Sequence, residues 1–428
     1  MPRSIVLLAA CALAAASPAD ADDPPTATAP AVKNIAAICT AYQPIWHADA
    51  IVTKFLAGFP TDEGLLAPKV RIASMYIDQG TPDDLGHKLA ELYGVPVYDT
   101  VAGALTLGGD RLAVDGVLLI GEHGKYPKNR FGQTMYPRLL LAAQVFRVLE
   151  ASGRSVPVFL DKHLSYNWSN SKWIYDRARE LEVPMMAGSS VPLVWRSPAL
   201  EHPRGAKIDE AVCLTYADPD SYGVHGFEVV QSMVERRSGG ETGVASVRCV
   251  RGKAFYEAAE AGEFSMDLVE AAAAALGDRK KPGAMRDHAR DPIAMIVRYR
   301  DGLRATVVFT HEYYGMWWAY AARADGKTVA TEFVFPRLDT IPAFSYLGLN
   351  IQEMFLTCRP QYPVERTLLA SGVVDAACRS LTGKGQTVET PHLDIRYEPY
   401  DFEPIRPKAA APAGACLMEW PPQRVREL

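Results

Sequence analysis

The chain has 428 residues, 48% of them apolar and 22% charged, with a formal net charge of −5. That length suggests two domains, and the composition is that of an ordinary globular protein with a full-sized core. With no surplus of Lys and Arg to neutralise phosphates, nucleic-acid binding is excluded as a function class. No apolar run reaches the ~18–20 residues that span a bilayer, so no transmembrane segment is expected.

The N-terminus differs from the rest. Met1-Pro2-Arg3 is a short basic start, residues 5–16 are an unbroken apolar stretch, and Ala19-Asp20-Ala21 offers an A-x-A cleavage site. Together they predict a signal peptide over 1–21 and an exported protein, periplasmic or extracellular. Leu8-Ala9-Ala10-Cys11 also resembles a lipoprotein cleavage box, but the apolar segment before it is so short that this reading ranks second. Residues 22–32 are rich in Pro, Ala and Thr and read as a linker. Six cysteines follow (Cys39, Cys213, Cys249, Cys358, Cys378, Cys416), none spaced as a CxxC zinc pair. Export permits disulfides, but the sequence leaves any pairing open.

From residue 33 strands and helices alternate. Apolar runs at 33–39, 70–77, 95–98, 114–120, 156–160 and 183–187 read as strands. Residues 47–56, 82–93, 136–152 and 171–181 read as helices, the second showing Leu85, Leu89 and Leu92 at helical spacing and Gly94 as its stop. The stretch 58–68 reads as a loop. This alternation predicts βαβ units and a parallel sheet, with ligands bound outside the carboxyl ends of its strands. From about residue 210 the runs lengthen: 211–216, 244–250, 293–299 and 304–310, the last two joined by an Asp301-Gly302 hairpin turn. Helices are expected at 223–237 and 364–381, with an Ala-rich helical insert at 257–276. The fold class is therefore α/β: a Rossmann-like domain with a parallel sheet (33–160), then an α+β substrate or oligomerisation domain with a mostly antiparallel open sheet (161–396), and a Pro-rich tail (397–428).

Four segments carry a resemblance. Asp115-Gly-Val-Leu-Leu-Ile120 is an acidic-led apolar strand, Asp161-Lys162-His163 follows the fifth strand, Gly223-Val-His225-Gly-Phe-Glu228 opens a helix, and residues 363–383 form a closing helix. In this order they resemble the glucose–fructose oxidoreductase / inositol dehydrogenase / MocA (Gfo/Idh/MocA) family of nicotinamide-dependent oxidoreductases. The similarity spans residues 33–396. It implies NAD or NADP as cofactor, a sugar, polyol or related hydroxy compound as substrate, and a homo-oligomer built on the C-terminal sheet. Two features depart from the family. The first βα turn, residues 40–46, contains no glycine, whereas a G-x-G-x-x-G loop lets the backbone approach a pyrophosphate. Ser221 stands where the family has an Asp four residues before its His.

The candidate site residues follow from strand ends and from this resemblance. Lys162 leaves a buried strand at the sheet edge, and the resemblance places it beside the reacting carbinol, with Asp161 next to it. His225 would be the base that takes a hydroxyl proton, imidazole being suited to work near neutral pH. Glu228, one helical turn on, would orient it. Asp78, at the end of the second strand, would accept hydrogen bonds from an adenosine ribose. Tyr42 in the first turn, and Glu122-His123 after the fourth strand, would complete the cofactor side. His311-Glu312 is a further strand-end pair. No metal site is assigned, although imidazole and carboxylate together also suit a divalent ion. Aromatic residues including Trp195, Tyr313, Trp317 and Trp318 could stack on a sugar ring. On the same scaffold the alternatives to an oxidoreductase are a non-redox carbohydrate-active enzyme (lyase, hydrolase or isomerase) and a non-catalytic sugar-binding protein.

Overall fold

The computed structural model describes residues 32–400 and 404–419. The expected signal peptide, nearly all of the expected linker and the last residues of the tail lie outside that range.

The first half alternates as its apolar runs dictate: β1 (Asn34–Cys39), α1 (His47–Ala57), the hairpin β2 (Phe59–Thr61) and β3 (Gly64–Leu66), β4 (Arg71–Ile77), α2 (Leu85–Tyr93), α3 (Val101–Thr106), β5 (Gly116–Ile120), α4 (Arg138–Ser152), β6 (Val158–Asp161), α5 (Trp168–Glu180) and β7 (Met185–Gly188). The second half continues with β8 (Trp195–Ser197), β9 (Ile208–Thr215), α6 (Pro219–Val234), β10 (Val244–Arg251), α7 (Lys253–Glu260), α8 (Met266–Ala274), β11 (Ile293–Tyr299), β12 (Arg304–Phe309), β13 (Ala319–Ala324), β14 (Lys327–Val334), α9 (Ala343–Thr357), α10 (Val364–Thr382) and β15 (Val388–Glu389).

Five strands form one parallel sheet in the order β4-β1-β5-β6-β7. Side chains alternate across it, as the period of two requires. Ile35, Ala37, Cys39, Leu118 and Ile120 pack on the α1 side, while Ala36, Ile38, Val117 and Leu119 pack against α4. Two strands of this sheet, β6 and β7, run beyond residue 160, where the sequence reading placed the start of the second domain. The run at 95–98 contributes a single bridge, Met75 to Val97, rather than a strand. The segment 58–68, read as a loop, holds the β2–β3 hairpin.

The second sheet has eight strands in the order β15-β10-β11-β12-β9-β13-β14-β8. All neighbours are antiparallel except β12 and β9. One face packs α6 and α10. The other is not open. The insert expected as one Ala-rich helix breaks near Gly262 into α7 and α8, which lay Phe255, Leu268, Val269 and Ala272 on Val212, Leu214, Ile296, Val308 and Ala321. The face that the resemblance offers for self-association is thus covered by the chain's own helices.

Helix α6 lies close to its sheet because Gly226 faces it: a Cβ there would come 2.5 Å from Val307 Cγ1. Gly226→Ala would gain up to ~1 kcal/mol of helix propensity. Overpacking of about 1–3 kcal/mol works against that gain. The expected net effect is destabilisation, read as a lower urea midpoint at unchanged slope. An unchanged or raised midpoint would show that α6 has room to move.

Candidate active site at the carboxyl edge of the parallel sheet

The carboxyl ends of β1, β5, β6 and β7 open into a cavity of about 380 Å3. Its walls come from both halves of the chain. Ile45, His47, Glu122, His123 and Lys162 lie on the parallel-sheet side. Tyr216, Ser221, Tyr222, His225, Trp318, Phe335 and Phe344 lie on the other. Of the ten described non-glycine residues with left-handed φ, four line this cavity: Ile45, His123, Lys162 and Ile341. Such backbone costs of order 1–3 kcal/mol per residue and gathers at functional sites.

Glu122 and Lys162, which follow neighbouring strands, meet here. Lys162 Nζ donates to Glu122 Oε1 at 2.9 Å and to the Ser221 carbonyl at 3.2 Å. The other Glu122 oxygen accepts from Arg138 Nη2, a guanidinium buried at the start of α4. Burial alone would raise the Glu122 carboxyl, but Lys162 and Arg138 hold it far below the usual carboxylate range.

His47, the first residue of α1, donates from Nδ1 to Asp161 Oδ2 at 2.7 Å. Asp161 is buried and does not itself line the cavity; it serves His47. His225 Nδ1 lies 2.5 Å from Ser189 Oγ in the turn after β7. Burial, then Lys162 and His47, push this imidazole well below its ordinary value, so it is neutral. His123 is likewise lowered, to about 4, by burial and by His47. Glu228 does not touch His225. Its Oε2 accepts from Ser189 N at 2.6 Å and its Oε1 from Thr367 Oγ1 at 2.5 Å, and burial pushes it up to about 7. It therefore supports His225 through Ser189, not as a direct partner. His163 is buried but does not line the cavity. The far wall is aromatic: Tyr216, Tyr222, Trp318 and the His225 ring lie with neighbouring centroids 4.2–6.0 Å apart. Among the described residues no group of three or more His, Cys, Asp or Glu is placed to hold a metal ion.

The residues read as cofactor ligands divide. Glu122 and His123 line the cavity. Tyr42 is in the core, its hydroxyl 2.9 Å from Thr53 Oγ1. Asp78 stands at the end of β4, its two oxygens accepting from Tyr76 (2.9 Å) and Tyr126 (2.7 Å). The loop carrying Tyr126 is clamped there by Gln79, which exchanges two hydrogen bonds with the Lys125 backbone. His311 and Glu312 lie elsewhere, Glu312 capping Arg290 N. Asp220, beside Ser221, turns away to Thr134 and Lys128.

A nicotinamide dinucleotide would need its pyrophosphate at the start of α1, where free N–H groups and the helix dipole favour an anion. The residues present do not fit it. Asp49 already occupies that place, its Oδ2 accepting from Ile45 N at 2.8 Å, and its charge would repel a phosphate. Pro44 has no N–H to give. Trp46 stacks on His123 with centroids 4.9 Å apart and planes 12° from parallel, covering the turn.

No family model matches the chain, and no curated protein matches it. Solved structures do. GenD2 from gentamicin A biosynthesis, a complex with NAD, is 14% identical over 86% of this chain and 99% of its own, with a TM-score of 0.53. A probable dehydrogenase from Thermotoga maritima is 12% identical (84% and 99% covered, TM-score 0.52). The myo-inositol 2-dehydrogenase from Lactobacillus plantarum is 11% identical (84% and 99% covered, TM-score 0.51). The chain has the two-domain fold of these proteins.

Of the residues read from strand ends and from the resemblance, Lys162, His225, Glu122 and His123 line the cavity. Sequence reading missed His47, Ser189 and Arg138 as site residues. His47 carried a signal: it opens the helix after β1, at the sheet edge already marked for chemistry.

Glu122 titrates lower in the folded chain than its unfolded value of about 4.3. Its contribution to stability is complete above that pH and is lost as pH falls toward the folded value. Urea unfolding should show a decline between about pH 5 and pH 3 that is shallower in Glu122→Gln. At neutral pH Glu122→Gln should cost about 3–5 kcal/mol, because two buried cations lose their partner. A variant as stable as the parent at neutral pH contradicts this account.

Proposed function

We propose that this chain is an enzyme that performs proton transfer on a hydroxyl-bearing, carbohydrate-like small molecule. The observation that carries the reading is the convergence of Lys162, His47 and His225 on one cavity whose opposite wall is aromatic. A sugar ring has an apolar C–H face for Trp318 and Tyr222, and its oxygens can then meet the ammonium and the imidazoles. Neutral imidazole and a charged ammonium side by side supply acid–base catalysis worth typically 10²–10⁴-fold.

We favour a non-redox reaction, an isomerisation or elimination, because Asp49 and Trp46 stand where a dinucleotide would lie. A second reading, an NAD(P)-dependent oxidoreductase on a sugar or polyol, is favoured by the fold shared with dehydrogenases and by Lys162 at the end of β6. The two part at the product. The first gives an isomer or a dehydrated molecule; the second gives one two hydrogens poorer, which mass spectrometry distinguishes. We also propose that the protein is exported, as its first 21 residues suggest; N-terminal sequencing of the secreted protein would place the cleavage.

The test is to incubate the protein with a panel of ketoses, aldoses and sugar acids in deuterated water and follow exchange at carbon by proton NMR. Deuterium should enter beside a carbonyl of at least one compound. His225→Gln and Lys162→Met should slow that by about 100-fold or more with little change in affinity. A sugar that binds by calorimetry but neither exchanges nor turns over would make this a binding protein instead.

A further inference from the structure

Three histidines line the cavity, and two of them, His47 and His225, differ in what holds their Nδ1 atoms. His47 Nδ1 is 2.7 Å from Asp161 Oδ2. A carboxylate only accepts hydrogen bonds, so this nitrogen carries the hydrogen. In the neutral ring Nε2 then keeps its lone pair.

His225 Nδ1 is 2.5 Å from a hydroxyl, Ser189 Oγ, which can donate or accept. The other bonds of Ser189 decide between these. Its Oγ already accepts from Val191 N at 3.0 Å. The residue is buried, and among the described residues its hydroxyl hydrogen has no acceptor other than His225 Nδ1. A buried hydroxyl that donates to nothing costs about 1–3 kcal/mol. Ser189 therefore donates, Nδ1 accepts, and the single hydrogen of the neutral His225 ring sits on Nε2.

Ser189 is itself fixed from behind. Its N–H is held by Glu228, and Gly188 leaves no room for movement, since a Cβ there would lie 2.7 Å from the same carboxylate. With Nδ1 tied to the protein in both rings, Nε2 is the nitrogen left to face the cavity. The ring centroids are 6.3 Å apart, so one sugar-sized molecule can touch both.

We propose that the two rings stand in opposite tautomers, His47 presenting a bare Nε2 as the base and His225 an Nε2–H as a hydrogen-bond donor, with Ser189 the positioning residue that sets the second. This rests on the acid–base reading of the cavity. In that reading His47 takes a proton from a carbon beside a carbonyl. The C–H electron pair becomes a C=C bond as the carbonyl π pair moves onto its oxygen, and the resulting enediolate is held by His225 Nε2–H and the Lys162 ammonium. No oxidant is needed: the hydroxyl proton passes to the former carbonyl oxygen, the other oxygen becomes the carbonyl, and returning the carbon proton to the neighbouring carbon regenerates the His47 base. A neutral donor is well suited to such an oxyanion, because it stabilises the charge without being consumed. The role is the reverse of the base that the sequence assigned to His225.

Long-range proton–nitrogen correlation spectra of ¹⁵N-histidine-labelled protein, recorded above the ordinary imidazole range, test this without any substrate. His47→Gln and His225→Gln assign the signals by their loss. The expected result is a lone-pair nitrogen at Nδ1 of His225 and at Nε2 of His47. Ser189→Ala should move His225 toward a tautomer mixture and leave His47 unchanged. A hydrogen on Nδ1 of His225, or on Nε2 of a neutral His47, overturns the proposal. Because tautomers are read without turnover, failure here is distinct from failure of the exchange assay, which bears on the acid–base reading itself.

Discussion

A carboxylate held between two cations at the sheet edge organises this site. Glu122 follows β5, Lys162 follows β6 and Arg138 opens α4, and all three are buried. Taking such charges out of water costs several kcal/mol per ion unless geometry and hydrogen bonds offset it. Here both carboxylate oxygens are used, and the ammonium has a second acceptor at the Ser221 carbonyl on α6. That last bond ties the two halves of the chain together across the cavity. The left-handed backbone at His123 and Lys162 adjoins this cluster, in keeping with strain held by surrounding structure.

The rest of the cavity is arranged around that cluster. His47 and His225 are each tied at Nδ1 to a buried partner, and each partner belongs to a strand of the parallel sheet or to the turn that follows one. The aromatic wall comes from the turn between β9 and α6, from α6 itself and from the segment before β13. At the other end, the place where this fold holds a pyrophosphate is filled by the chain's own Asp49, Pro44 and Trp46. Asp78 keeps its position at a strand end but spends both oxygens on tyrosine hydroxyls.

Much of the fold was legible because period and punctuation agreed. β1, β4, β5 and the helices after them follow apolar runs closed by Gly94 or opened by capping residues such as Asp84. The hairpin β13–β14 and helix α9 were not read. Ala319–Ala324 is Ala-rich, with little of the β-branched signal of a strand, and α9 is apolar on most of its faces, so its helical stripe is blurred. In the site, position along a strand identified Lys162 and Glu122. The long-range partners were invisible: His47 with Asp161 is separated by 114 residues and Ser189 with His225 by 36, and no local pattern encodes such pairs. The absent glycine loop was legible from the start. The structure adds what replaced it.

In the proposed function the cavity works by its own acid–base groups, with no dinucleotide at the start of α1. Calorimetric titration of the intact protein with NAD, NADP and their reduced forms tests it most directly. No saturable binding is expected even at millimolar cofactor. Micromolar binding of any of the four, with hydride passing to or from a sugar, would contradict it.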